Sequence, residues 1–280
     1  DLSRDQVRTK TMAFIGMSIG AAFSLAFVLG PLLYTRIDLA GLFNLGAVMG
    51  VIAILALWTV VPNAQPQASS NPSGMRPGNL KAALFNPELL RLDFSIFISH
   101  LILMANFVVI PVALRDYAGM ETAAHWQVYL AVIFLSLFIM VPFVILGDRL
   151  NKTRTFFISS ILLILLSQLG LAGFNEQLYL LSALLVLFFG AFNYLEAMLP
   201  SAVSKTIRAD LKGTALGIYS TSQFIGIFIG GLLGGFLHQH YGISSVHLFC
   251  LAVGLVWLLL ISIGGRQPSP VQNKLEEESV

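Results

Sequence analysis

The chain has 280 residues, of which 56% are hydrophobic and only 11% are charged, for a formal net charge of +2. An ordinary globular domain carries about 25% charged residues, so a soluble globular domain is excluded. The single cysteine, Cys250, excludes an internal disulfide, and a thiol inside an apolar helix points to packing rather than chemistry.

The predicted elements follow in chain order. A membrane span needs about 20 mostly apolar residues, and eight such runs occur: 11–35, 39–61, 93–114, 127–147, 155–174, 177–200, 214–237 and 243–264. Their hydrophobicity is continuous rather than alternating, so the spans are helices, not barrel strands. The fold class is an all-α polytopic membrane bundle. The opening "DLSRDQVRTK" (Asp1–Lys10) has neither a methionine nor a signal-peptide pattern and is expected to be a loop of something longer. In the first span Pro31 removes a backbone donor and is expected to kink the helix. A tight turn then leads into the second span.

Pro62–Asn79, "PNAQPQASSNPSGMRPGN", is rich in Pro, Ser, Asn and Gln and must be loop. After it, "LKAALFNPELLRLD" (Leu80–Asp93) predicts a short surface helix and a restart, with Asn86 as cap and Pro87 at the first helical position. Six spans and an acidic tail, "NKLEEESV", complete the chain. The expected organisation is two helices (1–61), a linker (62–92), a six-helix half (93–266) and a tail (267–280).

Charge placement orients the bundle. Of the 16 Lys and Arg residues, only Arg36 and Arg115 fall on the side opposite the termini. That asymmetry places both termini in the cytoplasm. The basic residues are spread over five cytoplasmic segments, which gives no support to nucleic-acid binding. Near the end of the first span "AFVLGPLLYT" (Ala26–Thr35) stands against "GIFIGGLLGG" (Gly226–Gly235) in the seventh. The pairing fits two parallel halves of six helices, with four helices of the first half outside this chain.

Polar residues inside spans are the functional candidates. An ionised side chain at mid-membrane costs at least about 2.5–3.5 kcal/mol. Glu196 in the sixth run must therefore face a cavity, meet a cation or carry a proton. Asn193, three residues earlier, shares its helix face. His100 and Asn106 lie in the third run, 600° apart in helical phase, so they do not share one face tightly. His100, Asn193 and Glu196 are compatible with a polar belt. For Glu196 the alternative is a structural pairing with Lys205 or Arg208, and for His100 a packed interhelical hydrogen bond. Gln168 and Gln223 are expected to form interhelical hydrogen bonds. Glycines at every fourth position, Gly226, Gly230 and Gly234 with Gly231 and Gly235 beside them, make a flat groove for another backbone.

The sequence resembles the major facilitator superfamily, helices 5 to 12 of the usual twelve. "LGDRLNK" (Leu146–Lys152) is similar to the superfamily's loop signature at Asp148, Arg149 and Lys152, with Val144 and Asn151 where the framing glycines stand. "LGP" (Leu29–Pro31) resembles the core of the helix-5 signature of drug:proton antiporters, with Tyr34-Thr35 replacing its later glycine pair. "RTKTMAFIGMSIG", "AFNYLEAMLPS" and "KGTALGIYSTSQFIG" resemble YajR-type transporters.

That resemblance implies proton-coupled efflux of a small organic molecule by alternating access. The site would be a monomer's bundle in the lipid bilayer of a bacterial inner membrane, with no cofactor and no metal. It places His100, Asn106, Asn193 and Glu196 by the central cavity. The Asp148 carboxylate suits either the positive end of a neighbouring helix or a pairing with Arg8 or Lys10, and the resemblance makes Asp148, Arg149 and Lys152 a conformational latch. It makes Gly30, Pro31 and the glycines from Gly226 to Gly235 a sliding contact between helices 5 and 11, with static helix packing as the other reading of the glycines. A non-transporting receptor or assembly module on the same fold stays open. An enzyme is disfavoured, because no zinc-binding His pair, phosphate loop or Cys-x-x-Cys occurs.

Overall fold

The computed structural model describes residues 5–60, 77–174, 176–207 and 211–263. Eight α-helices follow in order: α1 (Asp5–Val60), α2 (Pro77–Leu84), α3 (Pro87–Asp116), α4 (His125–Arg149), α5 (Thr153–Gly173), α6 (Leu178–Thr206), α7 (Lys212–Tyr241) and α8 (Ile243–Ile263). A 3-10 turn at Thr122–Ala124 precedes α4. Among the described residues, seven helical segments are long and apolar enough to cross a membrane. Six of them match the last six predicted runs to within a few residues. The predicted first span is helical, but most of its side chains lie outside the described residues.

The chain divides into two compact units: Asp1–Ser70 with Met120–Ala131, and Asn71–Gly119 with Val132–Val280. In the first unit, the expected turn between spans is a single-residue break. The helix runs through Pro31, and the residue with non-helical dihedrals is Asp38, at φ 56° and ψ −170°. Aspartate tolerates that region better than most residues because its short polar side chain bonds locally. Here Asp38 Oδ1 accepts a hydrogen bond from the Gly41 amide at 3.0 Å, capping the helix that follows. The break is tight. A Cβ on Gly41 would lie 2.6 Å from Ile37 Cβ, so only glycine fits there. The span from Leu32 to Val60 buries none of its central window, as suits a helix that is apolar all round in lipid.

The second unit is built around α3. Asn86 caps it as expected, its Oδ1 accepting from the Glu88 and Leu89 amides, with Pro87 in the first turn. Two-thirds of the α3 window is buried, more than in any other described span. α7, α8, α6 and α2 all pack on it. The closest partner is α7. A Cβ on Gly226 or Gly230 would press into the carbonyl oxygens of Phe97 and Leu101, and one on Gly234 would lie 3.0 Å from Ala105 Cα. All three pairs have the same sequence offset, so α3 and α7 run parallel in fixed register.

Another face of α3 is closed by α8, which α5 backs. Trp257 donates its indole N–H to Ser95 Oγ at 3.0 Å and packs edge-on against Phe157. Gly254 leaves room for Leu165 of α5 and Ile102 of α3. α4 joins α6 through Ile139 against Gly190 and Phe143 against Tyr194.

Candidate functional site

His100 sits halfway along α3, almost fully buried. Its Nδ1 lies 3.2 Å from the Ile96 carbonyl one turn back. A carbonyl can only accept, so Nδ1 carries the proton and Nε2 of the neutral ring is the acceptor. Nε2 faces the Gln223 side-chain nitrogen of α7 at 2.8 Å, which donates to it. Glu196 of α6 stands on the same nitrogen, with Oε2 at 3.7 Å. Phe192, one turn before Glu196, covers the ring edge-on at 5.2 Å.

The glycine contact makes this meeting possible. Gln223 is one turn before Gly226, where the α7 backbone touches α3, so its side chain reaches across to His100. A larger residue at Gly226 or Gly230 would push α7 away and withdraw the glutamine.

The arrangement is a two-way choice. With a neutral ring, Nε2 accepts from Gln223, and Oε2 of Glu196 keeps no hydrogen-bond partner. With a protonated ring, Nε2 becomes a donor. It then meets the Gln223 N–H head-on and finds its natural acceptor in the Glu196 carboxylate. One proton therefore decides whether His100 is held by α7 or by α6.

Of the predicted belt, His100 and Glu196 meet and Asn193 does not join them. Its Nδ2 donates instead to Ser136 Oγ of α4 at 3.1 Å, tying α6 to α4. Asn106 is also apart. Ile102 reaches α8 at Gly254, and Asn106 lies one turn further along that face, away from Glu196. It is buried, and neither end of its amide has a hydrogen-bond partner.

The loop candidates Asp148, Arg149 and Lys152 are exposed at the turn from α4 to α5. Asn151 adopts φ +49° there, which explains how asparagine stands where a glycine is the commoner choice. The side chains of Arg8 and Lys10, the expected partners of Asp148, lie outside the described residues, as does that of Pro31.

The glycine stripe is divided. Gly226, Gly230 and Gly234 are closed off by α3 of the same unit, in a close helix-packing contact. Gly231 has only the Met104 side chain near it, and Gly235 and Gly30 have nothing within 4 Å.

Both glutamines form the interhelical bonds expected of them. Gln168 of α5 accepts from His247 Nδ1 of α8 at 3.1 Å. Two residues escaped the sequence reading. Asp93 and Tyr219 are buried, and each has a side-chain oxygen without a hydrogen-bond partner. Asp93 was legible in principle: it precedes His100 by seven residues, two turns on one helix face.

Seven apolar spans among the described residues, with an ionisable cluster shared by α3, α6 and α7, define a polytopic membrane protein of the helical-bundle class. Residues 92–279 match the Major Facilitator Superfamily. Over 269 residues, 96% of this chain and 59% of the relative, the sequence is 41% identical to the inner membrane transport protein YajR of Escherichia coli (strain K12). An uncharacterized transporter of Buchnera aphidicola subsp. Schizaphis graminum is 31% identical over 265 residues, 92% of this chain and 66% of that protein. The uncharacterized transporter BU466 of the subspecies Acyrthosiphon pisum is 30% identical over 234 residues, 82% and 59% respectively. The chain belongs to the Major Facilitator Superfamily. It spans about three-fifths of the length of YajR and of BU466.

Proposed function

We propose that this chain supplies the second half, and the last two helices of the first half, of a proton-coupled secondary transporter in a bacterial inner membrane. Residues 1–61 are the two helices, 62–92 the cytoplasmic linker, 93–266 the six-helix half and 267–280 a cytoplasmic tail. The cargo is a small organic molecule, moved outward by alternating access in exchange for protons. The names of the relatives support transport and the inner membrane.

One observation carries the coupling: a buried histidine shared between a glutamine on α7 and a carboxylate on α6. Loading a proton on His100 strengthens its hold on Glu196 and breaks its bond with Gln223, so the proton changes which helix holds α3. Asp148, Arg149 and Lys152 form the latch at the basic end, and the open faces of Gly231 and Gly235 are free for motion against another helix. Asn193 braces α6 on α4 so that Glu196 presents a fixed carboxyl.

The test is proton movement in proteoliposomes on addition of a panel of amphipathic organic compounds, comparing wild type with Glu196→Gln. Compound-triggered proton release that disappears in the variant is expected. Undiminished release in the variant removes Glu196 from coupling. Compound binding without any proton movement in wild type would favour a receptor on the same fold.

A further inference from the structure

The basic end of the second unit carries an apolar patch among charges. Leu84, Phe85 and Leu90 are exposed, Phe85 to 71%. In the chain they lie between two exposed basic residues, Lys81 of α2 and Arg91 of α3. Phe85 also precedes the apolar span of α3, which starts at Pro87. An aromatic ring there is uncovered by protein and stands at the edge of the hydrocarbon.

Local structure sets its position. Asn86, with ψ 116°, interrupts the helix between α2 and α3. α2 therefore does not prolong α3 into water; it packs on α7 and α3 instead. Ala83 is fully buried in that packing. The Phe85 amide donates to the Lys81 carbonyl at 3.1 Å, which keeps Phe85 one helical turn after Lys81 and on the same face. That face presents a ring and an ammonium together. The helix beneath it, α7, opens with Lys212.

The balance of charge at this corner is positive. Lys81 and Arg91 are exposed and Lys212 is partly so, while the acidic side chains are Glu88, half-buried, and Asp93, buried. A short helix of this kind lies in the plane of the membrane surface, with its apolar side chains at the acyl boundary and its cations at the headgroups. Cations around an apolar patch match a headgroup of net negative charge joined to acyl chains. A soluble anion meets only the charge, and hydrocarbon only the patch.

We propose that the corner between α2 and α3 is a binding site for an anionic phospholipid of the cytoplasmic leaflet. Lys81 meets the phosphate, Arg91 and Lys212 add to the positive field around it, and Phe85 lies against the first acyl carbons. The site fixes the start of α3 at the depth of the headgroups. It depends on the membrane setting of the chain and not on any role in proton coupling.

The experiment puts a reporter on the patch with Phe85→Trp and reads the added fluorescence, after subtraction of the unsubstituted protein, in phosphatidylcholine vesicles. A small fraction of the lipid is brominated on its acyl chain and quenches on contact. Brominated phosphatidylglycerol is expected to reach half-quenching at about tenfold lower mole fraction than brominated phosphatidylcholine. Lys81→Gln and Arg91→Gln, added to the reporter protein, should each reduce that preference about fivefold, the scale of one basic residue at an anionic surface. Lys205→Gln, which removes an exposed charge from α6, should leave it unchanged. Equal quenching by the two lipids overturns the headgroup site, and no quenching by either shows that lipid does not cover the patch. An equal loss in Lys205→Gln, with all variants melting as the reporter protein does, overturns it in favour of diffuse attraction to the basic end.

Discussion

Two buried histidines in this bundle are each hydrogen-bonded to a glutamine of another helix, and they differ in one neighbour. His100 has Gln223 at 2.8 Å and Glu196 at 3.7 Å. His247 has Gln168 at 3.1 Å and is joined to no carboxylate among the described residues. A histidine–glutamine pair alone is a packing device, since a neutral ring and an amide satisfy each other without any charge. Adding a carboxylate on a third helix turns it into a group with two competing partners. The difference teaches that an interior polar residue is assigned by its third neighbour, not by its own chemistry.

Removing the rings separates the two roles. His100→Leu should abolish compound-driven proton movement in proteoliposomes, the largest effect, while His247→Leu should leave it in place. Equal loss in both would erase the distinction. Next in size, Gly230→Ala forces a methyl into the Leu101 carbonyl of α3 and should cost about 3 kcal/mol. It would show as a lower melting temperature and a weakened Gln223–His100 contact. His247→Leu should lower stability by about 1–3 kcal/mol, because it strands the buried Gln168 amide. Gly235→Ala, with nothing within 4 Å, should stay within about 1 kcal/mol of wild type or gain slightly. A melting shift as large as that of Gly230→Ala would contradict the division of the glycine stripe.

The spans were readable because a lipid-facing helix must be apolar along its whole length, and the Asn86-Pro87 start was readable because capping is local. Gln168, Gln223, His100 and Glu196 stood out by polarity alone. The pairing of His100 with Glu196 was readable only as a compatible polar belt, since helical phase says nothing of side-chain reach between helices. Asn193 was grouped with Glu196 by helical phase, which cannot reveal that a serine on α4 competes for it. Asp93 fell at the edge of a predicted span, where an acidic residue passes for a boundary marker. Tyr219 passed for packing, because a phenol is apolar until its hydroxyl lacks a partner. The turn between the first two spans was readable from the gap between their apolar runs, but not its reduction to the single residue Asp38, because the sequence does not show that one capping aspartate suffices to turn the chain.

The parallel glycine contact between α3 and α7 has a mechanical meaning. Two helices separated by side chains can roll on their axes independently, each absorbing the other's shift by rotamer changes. With backbone against backbone at three successive turns, no compliant layer remains between them, and the interior is too densely packed to supply one. The pair then acts as one beam, with His100 and Gln223 mounted on it and Glu196 on the post beside it. Any displacement of that beam relative to α6 changes the His100–Glu196 gap first, at the one place where a single proton can alter the force across it.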